Sequence, residues 1–124
     1  MRVLLVDSHA QERSMLRRIV KQEPQLSVVG EVTDAQDLLA RAQAVHPDLL
    51  LLDWELPGLQ GSDLLLTLHR LTFPLKVVAY SERTGARQEA LTSGADAFVS
   101  RNEPLEWLLI TLRRIGGLSP VFVG

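Results

Sequence analysis

Along the chain, short uninterrupted apolar runs alternate with longer stretches in which apolar side chains return every three or four residues. Val3 to Val6, Leu49 to Leu52 and Val77 to Ala79 are too brief for helices and are bounded by polar or turn residues. They predict strands buried on both faces. Leu26 to Val32 and Ala97 to Val99 are weaker runs of the same kind. Between them, helical spacing groups Met15, Leu16, Ile19 and Val20, then Leu38, Leu39, Ala42 and Val45, then Leu64, Leu65 and Leu68, each set on one face. Residues 84–93 have only Ala86, Ala90 and Leu91 to bury, which predicts a short helix. The last helix carries a stripe of Leu105, Leu108, Leu109, Leu112 and Ile115, with Pro104 at its first helical position. Asp34 and Ser62 are placed to cap the second and third helices, and Gly94 and Gly116 to end the fourth and fifth in the left-handed conformation.

Strand followed by helix, repeated along the chain, predicts an α/β fold of parallel strands joined by right-handed crossovers, with helices on both faces. In such a sheet, ligands bind beyond the carboxyl ends of the strands, where strand order reverses. The polar residues at those ends are Asp7 and Ser8, Asp53, Ser81 and Arg101. Asp53 follows four leucines, at a point where packing alone would take another apolar residue. A carboxylate there is a candidate nucleophile toward phosphorus, given a cation to offset the repulsion between two anions.

Composition narrows the function classes. The 124 residues suit one domain, and 46% hydrophobic against 23% charged side chains is a globular balance. Thirteen basic and fifteen acidic residues leave a net charge of −2, so no strong field draws this segment onto nucleic acid or anionic lipid. The lack of cysteine removes disulfides and thiolate metal sites and fits a reducing compartment. The apolar run before Asp7 is too short for a signal peptide or a membrane span, so a cytoplasmic location is expected.

Four segments carry a family resemblance: Val6-Asp7-Ser8-His9, Asp48 to Gly61 with its Asp53-Trp-Glu-Leu-Pro-Gly-Leu-Gln-Gly61, Val77-Val-Ala-Tyr-Ser81, and Gly94-Ala-Asp-Ala-Phe98-Val-Ser-Arg101. Together they resemble the receiver domains of two-component response regulators over residues 1–116, leaving 117–124 as a tail or the start of a linker. Val28-Val-Gly-Glu-Val32 and Asp34-Ala-Gln-Asp37 are similar to the subfamily that precedes helix-turn-helix DNA-binding domains. The resemblance implies a flavodoxin-like sheet order of 2-1-3-4-5. It makes Asp53 the acceptor of a phosphoryl group from a sensor histidine kinase, Ser81 the switch hydroxyl and Phe98 the switch aromatic. Mg2+ would be held by Asp7, Asp53 and the backbone carbonyl of Glu55. Pro57 and Gly58 would shape the loop after Asp53. Output would run through the face of the fourth helix, fifth strand and fifth helix, to an output domain or a second copy. No further cofactor and no enzymatic turnover are implied.

The sequence departs from the family pattern at several positions. Ser8 stands where the family has a second acidic residue, which weakens the metal site. Arg101 replaces the family's lysine and Asn102 the following proline. The longer, planar Arg101 is positioned to pair with Asp53 or Glu55 as an internal substitute for the cation. Glu55 and Glu82 add negative charge, either into solvent or, for Glu55, in place of the lost carboxylate. His9 is read as a helix-start residue, His46 and His69 as helix-surface residues, and Trp54 as pocket rim or partner-facing surface. Arg13, Arg17, Arg18 and Lys21 form a solvated basic strip, and Trp107 and Ile110 lie off the stripe of the last helix, free for a partner. Two other functions stand beside the receiver: a phosphorylation-independent pseudo-receiver acting as an interaction module and, remotely, an aspartate-nucleophile phosphatase.

Overall fold

A computed structural model describes residues 1–58 and 60–118. Its elements run β1 (Arg2–Val6), α1 (Ala10–Lys21), β2 (Ser27–Val32), α2 (Ala35–Val45), β3 (Leu49–Asp53), α3 (Gly61–Leu68), β4 (Lys76–Ser81), α4 (Ala86–Thr92), β5 (Ala97–Ser100) and α5 (Leu105–Ile115). The sheet has the order β2-β1-β3-β4-β5 and every pairing is parallel, as the alternation predicts. The chain leaves β1 for the β2 edge and then crosses back to β3. The carboxyl ends of β1 and β3 therefore flank the point where strand order reverses.

Alternation along the strands builds two cores. Leu4, Val6, Leu50, Leu52, Val77, Ala79 and Phe98 face Leu38 of α2, Leu64 and Leu65 of α3, and Ala86 and Ala90 of α4. Val3, Leu5, Leu49, Leu51, Val78, Tyr80 and Val99 face Leu16, Ile19 and Val20 of α1 and Leu108 and Leu112 of α5. All five residues of β3 are buried, which explains its unbroken leucine run. Asp53 continues that run into the polar end of the sheet.

Helix ends follow the local signals at some positions and depart from them at others. Asp34 caps α2, accepting from Asp37 N at 2.8 Å, and Gly94 is left-handed at φ 108° after α4. Ser62 does not cap α3: the helix already starts at Gly61, with Gln60 as N-cap and no side-chain cap bond. Pro104 lies one position outside α5, as its N-cap, and ψ 143° makes it extended. Gly116 is right-handed at φ −76°, and the left-handed residue is Gly117 at φ 61°. Leu91 and Leu105, expected to be inward, are 44% and 46% exposed because no element covers those positions. Residues 119–124 of the expected tail lie outside the described residues, while Leu118 packs on the α1/α5 core. Among the described residues no helix is long and apolar enough to cross a membrane.

Candidate functional site

Strand ends bring the predicted site together. Asp7 leaves β1 with its N–H bonded to the Val32 carbonyl at 3.0 Å, and the Arg101 N–H is bonded to the Ser81 carbonyl at 3.1 Å. Asp7, Asp53 and Ser81 are all buried polar side chains. Arg101 reaches across the sheet ends. Its Nη2 lies 3.0 Å from Asp7 Oδ2 and 3.3 Å from Asp53 Oδ1, and its Nη1 donates to Glu12 Oε1 at 2.6 Å. The expected pairing with Asp53 is present, and the pairing with Glu55 is not.

Asp7 is saturated. Its Oδ1 accepts from His9 N at 2.8 Å and faces His9 Nδ1 at 3.1 Å. Its Oδ2 accepts from Tyr80 Oη at 2.6 Å as well as from Arg101. Burial pushes the Asp7 pKa up, but the neighbouring Glu12 carboxyl, Tyr80, His9 N and Arg101 outweigh it and hold the net shift downward. Glu12 moves the opposite way, raised by burial and by the Asp7 carboxylate. The Tyr80 hydroxyl is pushed far up by burial and by Asp7, so it remains a donor. The Arg101 guanidinium also lies 4.7 Å over the Tyr80 ring, a cation–π contact.

Asp53 is differently placed. Its Oδ1 accepts from Glu55 N at 2.9 Å and faces Arg101, while no donor among the described residues engages Oδ2. Burial raises the Asp53 pKa, with Glu55 N and Arg101 opposing.

Beside Asp53 lies a partly exposed network. Ser81 Oγ donates to Glu55 Oε1 at 3.0 Å and accepts from Arg83 N at 3.0 Å. Arg83 bridges Glu55 at 2.9 Å and Glu89 at 3.0 Å, and Trp54 Nε1 donates to Glu89 at 3.1 Å. Glu55 Oε1 is engaged by Ser81 and Arg83 and makes no contact with Asp7 or Arg101 among the described residues. Trp54 is buried rather than partner-facing, and Gly61 makes room for it: a Cβ there would meet its ring at 2.7 Å. Phe98 is buried, with the Arg87 guanidinium 5.0 Å from its ring centre. Glu82 is exposed and, with Met15, Leu105 and Leu108, lines a groove of about 240 Å³ between α1 and the start of α5. The basic strip is partly neutralised, since Arg13 and Arg17 both pair with Glu31 of β2.

Three site residues escaped the sequence reading: Glu12, Tyr80 and Arg83. Glu12 lies three residues after His9, the N-cap of α1, where the first helical turn comes back over the end of β1. Tyr80 shares the strand face of Val78, and its phenol needed a buried partner. Arg83 gave no local signal.

Mg2+ takes near-octahedral oxygens at about 2.0–2.1 Å and dehydrates reluctantly. The residues present do not fit it well. A carboxylate offers about four lone-pair directions, and those of Asp7 face His9 N, the His9 ring, Tyr80 and Arg101. Ser8 is exposed and its hydroxyl faces the His9 ring at 3.4 Å. Asp7, His9 and Glu12 do place ligand atoms within 4.8 Å of one another, but Arg101 is bonded to both carboxylates of that group.

The chain matches the family model described as response regulator receiver domain over residues 3–113. It is 41% identical to a protein-glutamate methylesterase/protein-glutamine glutaminase from Hydrogenovibrio crunogenus, over 81% of this chain and 27% of that protein. It is 29% identical to the nitrate/nitrite response regulator protein NarL of Escherichia coli, over 90% of this chain and 53% of NarL. The chain thus spans about a quarter to a half of these relatives. Among solved structures, the response regulator domain of Thermotoga maritima CheB superposes with a TM-score of 0.82 at 28% identity, covering 97% of this chain and 98% of that one.

Proposed function

The chain belongs to the response-regulator receiver family of two-component signalling, and from this premise we propose that Asp53 is its phosphoacceptor, served by the phosphohistidine of a sensor histidine kinase. The observation that carries this reading is the asymmetry of the Asp53 carboxylate. Oδ1 is fixed by Glu55 N and Arg101, while Oδ2 is left without a donor among the described residues. A held carboxylate with one free oxygen is arranged for attack on phosphorus.

In this reading Arg101 donates to the phosphoryl oxygens, and Ser81 leaves Glu55 to do the same. That exchange loosens the Glu55–Arg83–Glu89 network and lets Phe98 shift beneath Arg87. Output then passes to the α4/β5/α5 face, where Trp107 and Ile110 are 54% and 57% exposed. The partner there is an output domain or a second copy, and the domain acts in the cytoplasm as a switch rather than by turnover. Receivers generally bind Mg2+ through acidic residues, and in this pocket Asp7 and Asp53 are already engaged by Arg101.

Incubating the chain with acetyl phosphate and reading intact mass tests the proposal. One phosphoryl adduct is expected on the wild type and none on Asp53→Asn. An unmodified wild type, or an adduct that survives the substitution, removes Asp53 as the acceptor and favours the pseudo-receiver.

A further inference from the structure

A cation in a phosphoryl-accepting pocket holds the carboxylates together against their mutual repulsion and presents positive charge to the incoming phosphoryl oxygens. In this chain one side chain already occupies the position where both tasks are done. The Arg101 guanidinium spans Asp7 at 3.0 Å, Asp53 at 3.3 Å and Glu12 at 2.6 Å. It is held from behind by the Tyr80 ring, and its backbone N–H is fixed to the Ser81 carbonyl. Glu12 supplies the third carboxylate that Ser8 does not, and it comes from the first turn of α1 rather than from the end of β1.

We propose that Arg101 is the resident cation of this pocket, excluding divalent metal from Asp7 and Asp53 and taking over its work in phosphoryl transfer. The metal-free transfer rests on Asp53 being the acceptor; the exclusion of metal does not. Two physical points support the exclusion. A metal ion would have to displace a guanidinium that makes three charge-assisted contacts, two of them to the buried carboxylates of Asp7 and Asp53. It would also have to take Asp7 oxygens already engaged by Tyr80 and His9 N. The transfer balances without it. Asp53 Oδ2 forms the new bond to phosphorus, the bond from phosphorus to the acyl oxygen of acetyl phosphate breaks, and acetate leaves with that electron pair. No proton has to move. Arg101 needs only to turn its planar fork from Asp53 Oδ1 toward the phosphoryl oxygens.

The experiment has two arms on the 124-residue chain. In the first, Mn2+ is titrated and free ion is followed by electron paramagnetic resonance, with wild type and Arg101→Gln compared. Wild type should show no saturation in the low-millimolar range. Arg101→Gln, which bares Asp7, Glu12 and Asp53 together, should bind at least about 10-fold more tightly. Saturation of wild type by low-millimolar or lower Mn2+ overturns the proposal, and so does an Arg101→Gln protein that folds by circular dichroism but gains no affinity. If that variant does not fold, the wild-type titration decides alone. In the second arm, adduct formation from acetyl phosphate is timed in EDTA and in Mg2+. Equal rates support the proposal, and an adduct that needs Mg2+ overturns it. No adduct in either condition fails the Asp53 reading instead, and the Mn2+ arm then decides the role of Arg101.

Discussion

At the scale of single residues, two carboxylates a few ångströms apart take opposite characters. Asp7 is fully engaged by donors and held acidic, whereas Asp53 is buried with one oxygen unengaged and its pKa raised. A group with a raised folded-state pKa contributes stability below its unfolded pKa and loses that contribution as pH rises through the folded one. At neutral pH the ionised Asp53 therefore works against the fold. Asp53→Asn is expected to raise Tm at pH 7 by a few degrees, on the order of 1 kcal/mol, with the gain shrinking as pH falls into the carboxylate range. Thermal melts at pH 7 and pH 4.5 check this; a lowered Tm at pH 7 would mean that the Arg101 pairing outweighs burial. Much of the site was legible at this scale. Asp53, Asp7, Ser81 and Arg101 were each marked by a polar residue ending an apolar run. Glu12 and Tyr80 were not, because each matters through contacts with Asp7 and Arg101 that sequence spacing does not display.

Among the elements, β3 bears the clearest packing argument. Leu51 has no exposure and faces α1 and α5, so Leu51→Ala should cost about 2–5 kcal/mol, read as a lowered midpoint in urea. A second link joins the C-terminal end of α1 to α5. Glu23 is a buried carboxylate that accepts from Arg113 Nε at 2.6 Å and from Gln25 N at 3.1 Å. Arg113 and the Gln25 N–H lower its pKa, so its contribution is present above the unfolded carboxylate pKa and fades as pH falls through the lower folded value. Glu23→Gln should be less stable than wild type at pH 7, and the two should converge under acid, as denaturant midpoints across that range will report. Element positions followed from periodicity, but helix edges did not. Periodicity says which face of a helix is apolar, not whether another element covers its end, and so Leu91 and Leu105 were misassigned.

On the whole molecule, the apolar groups left uncovered include Trp107 and Ile110 of α5. If that face receives a second copy, Trp107→Ala should weaken self-association about 10-fold or more without lowering Tm, measurable by analytical ultracentrifugation before and after acetyl phosphate. Unchanged sedimentation would direct the search to an output domain. The sequence by itself determined the α/β alternation, the buried strands and the polar groups at their ends, because burial and strand period are properties of neighbouring residues. Tertiary structure alone decided what those groups do to one another. It set Arg101 between Asp7, Asp53 and Glu12, joined Glu55 to Ser81 and Arg83, and placed Tyr80 against Asp7. These contacts join residues up to 94 positions apart, and their geometry is set by how the strands and helices pack rather than by any local pattern.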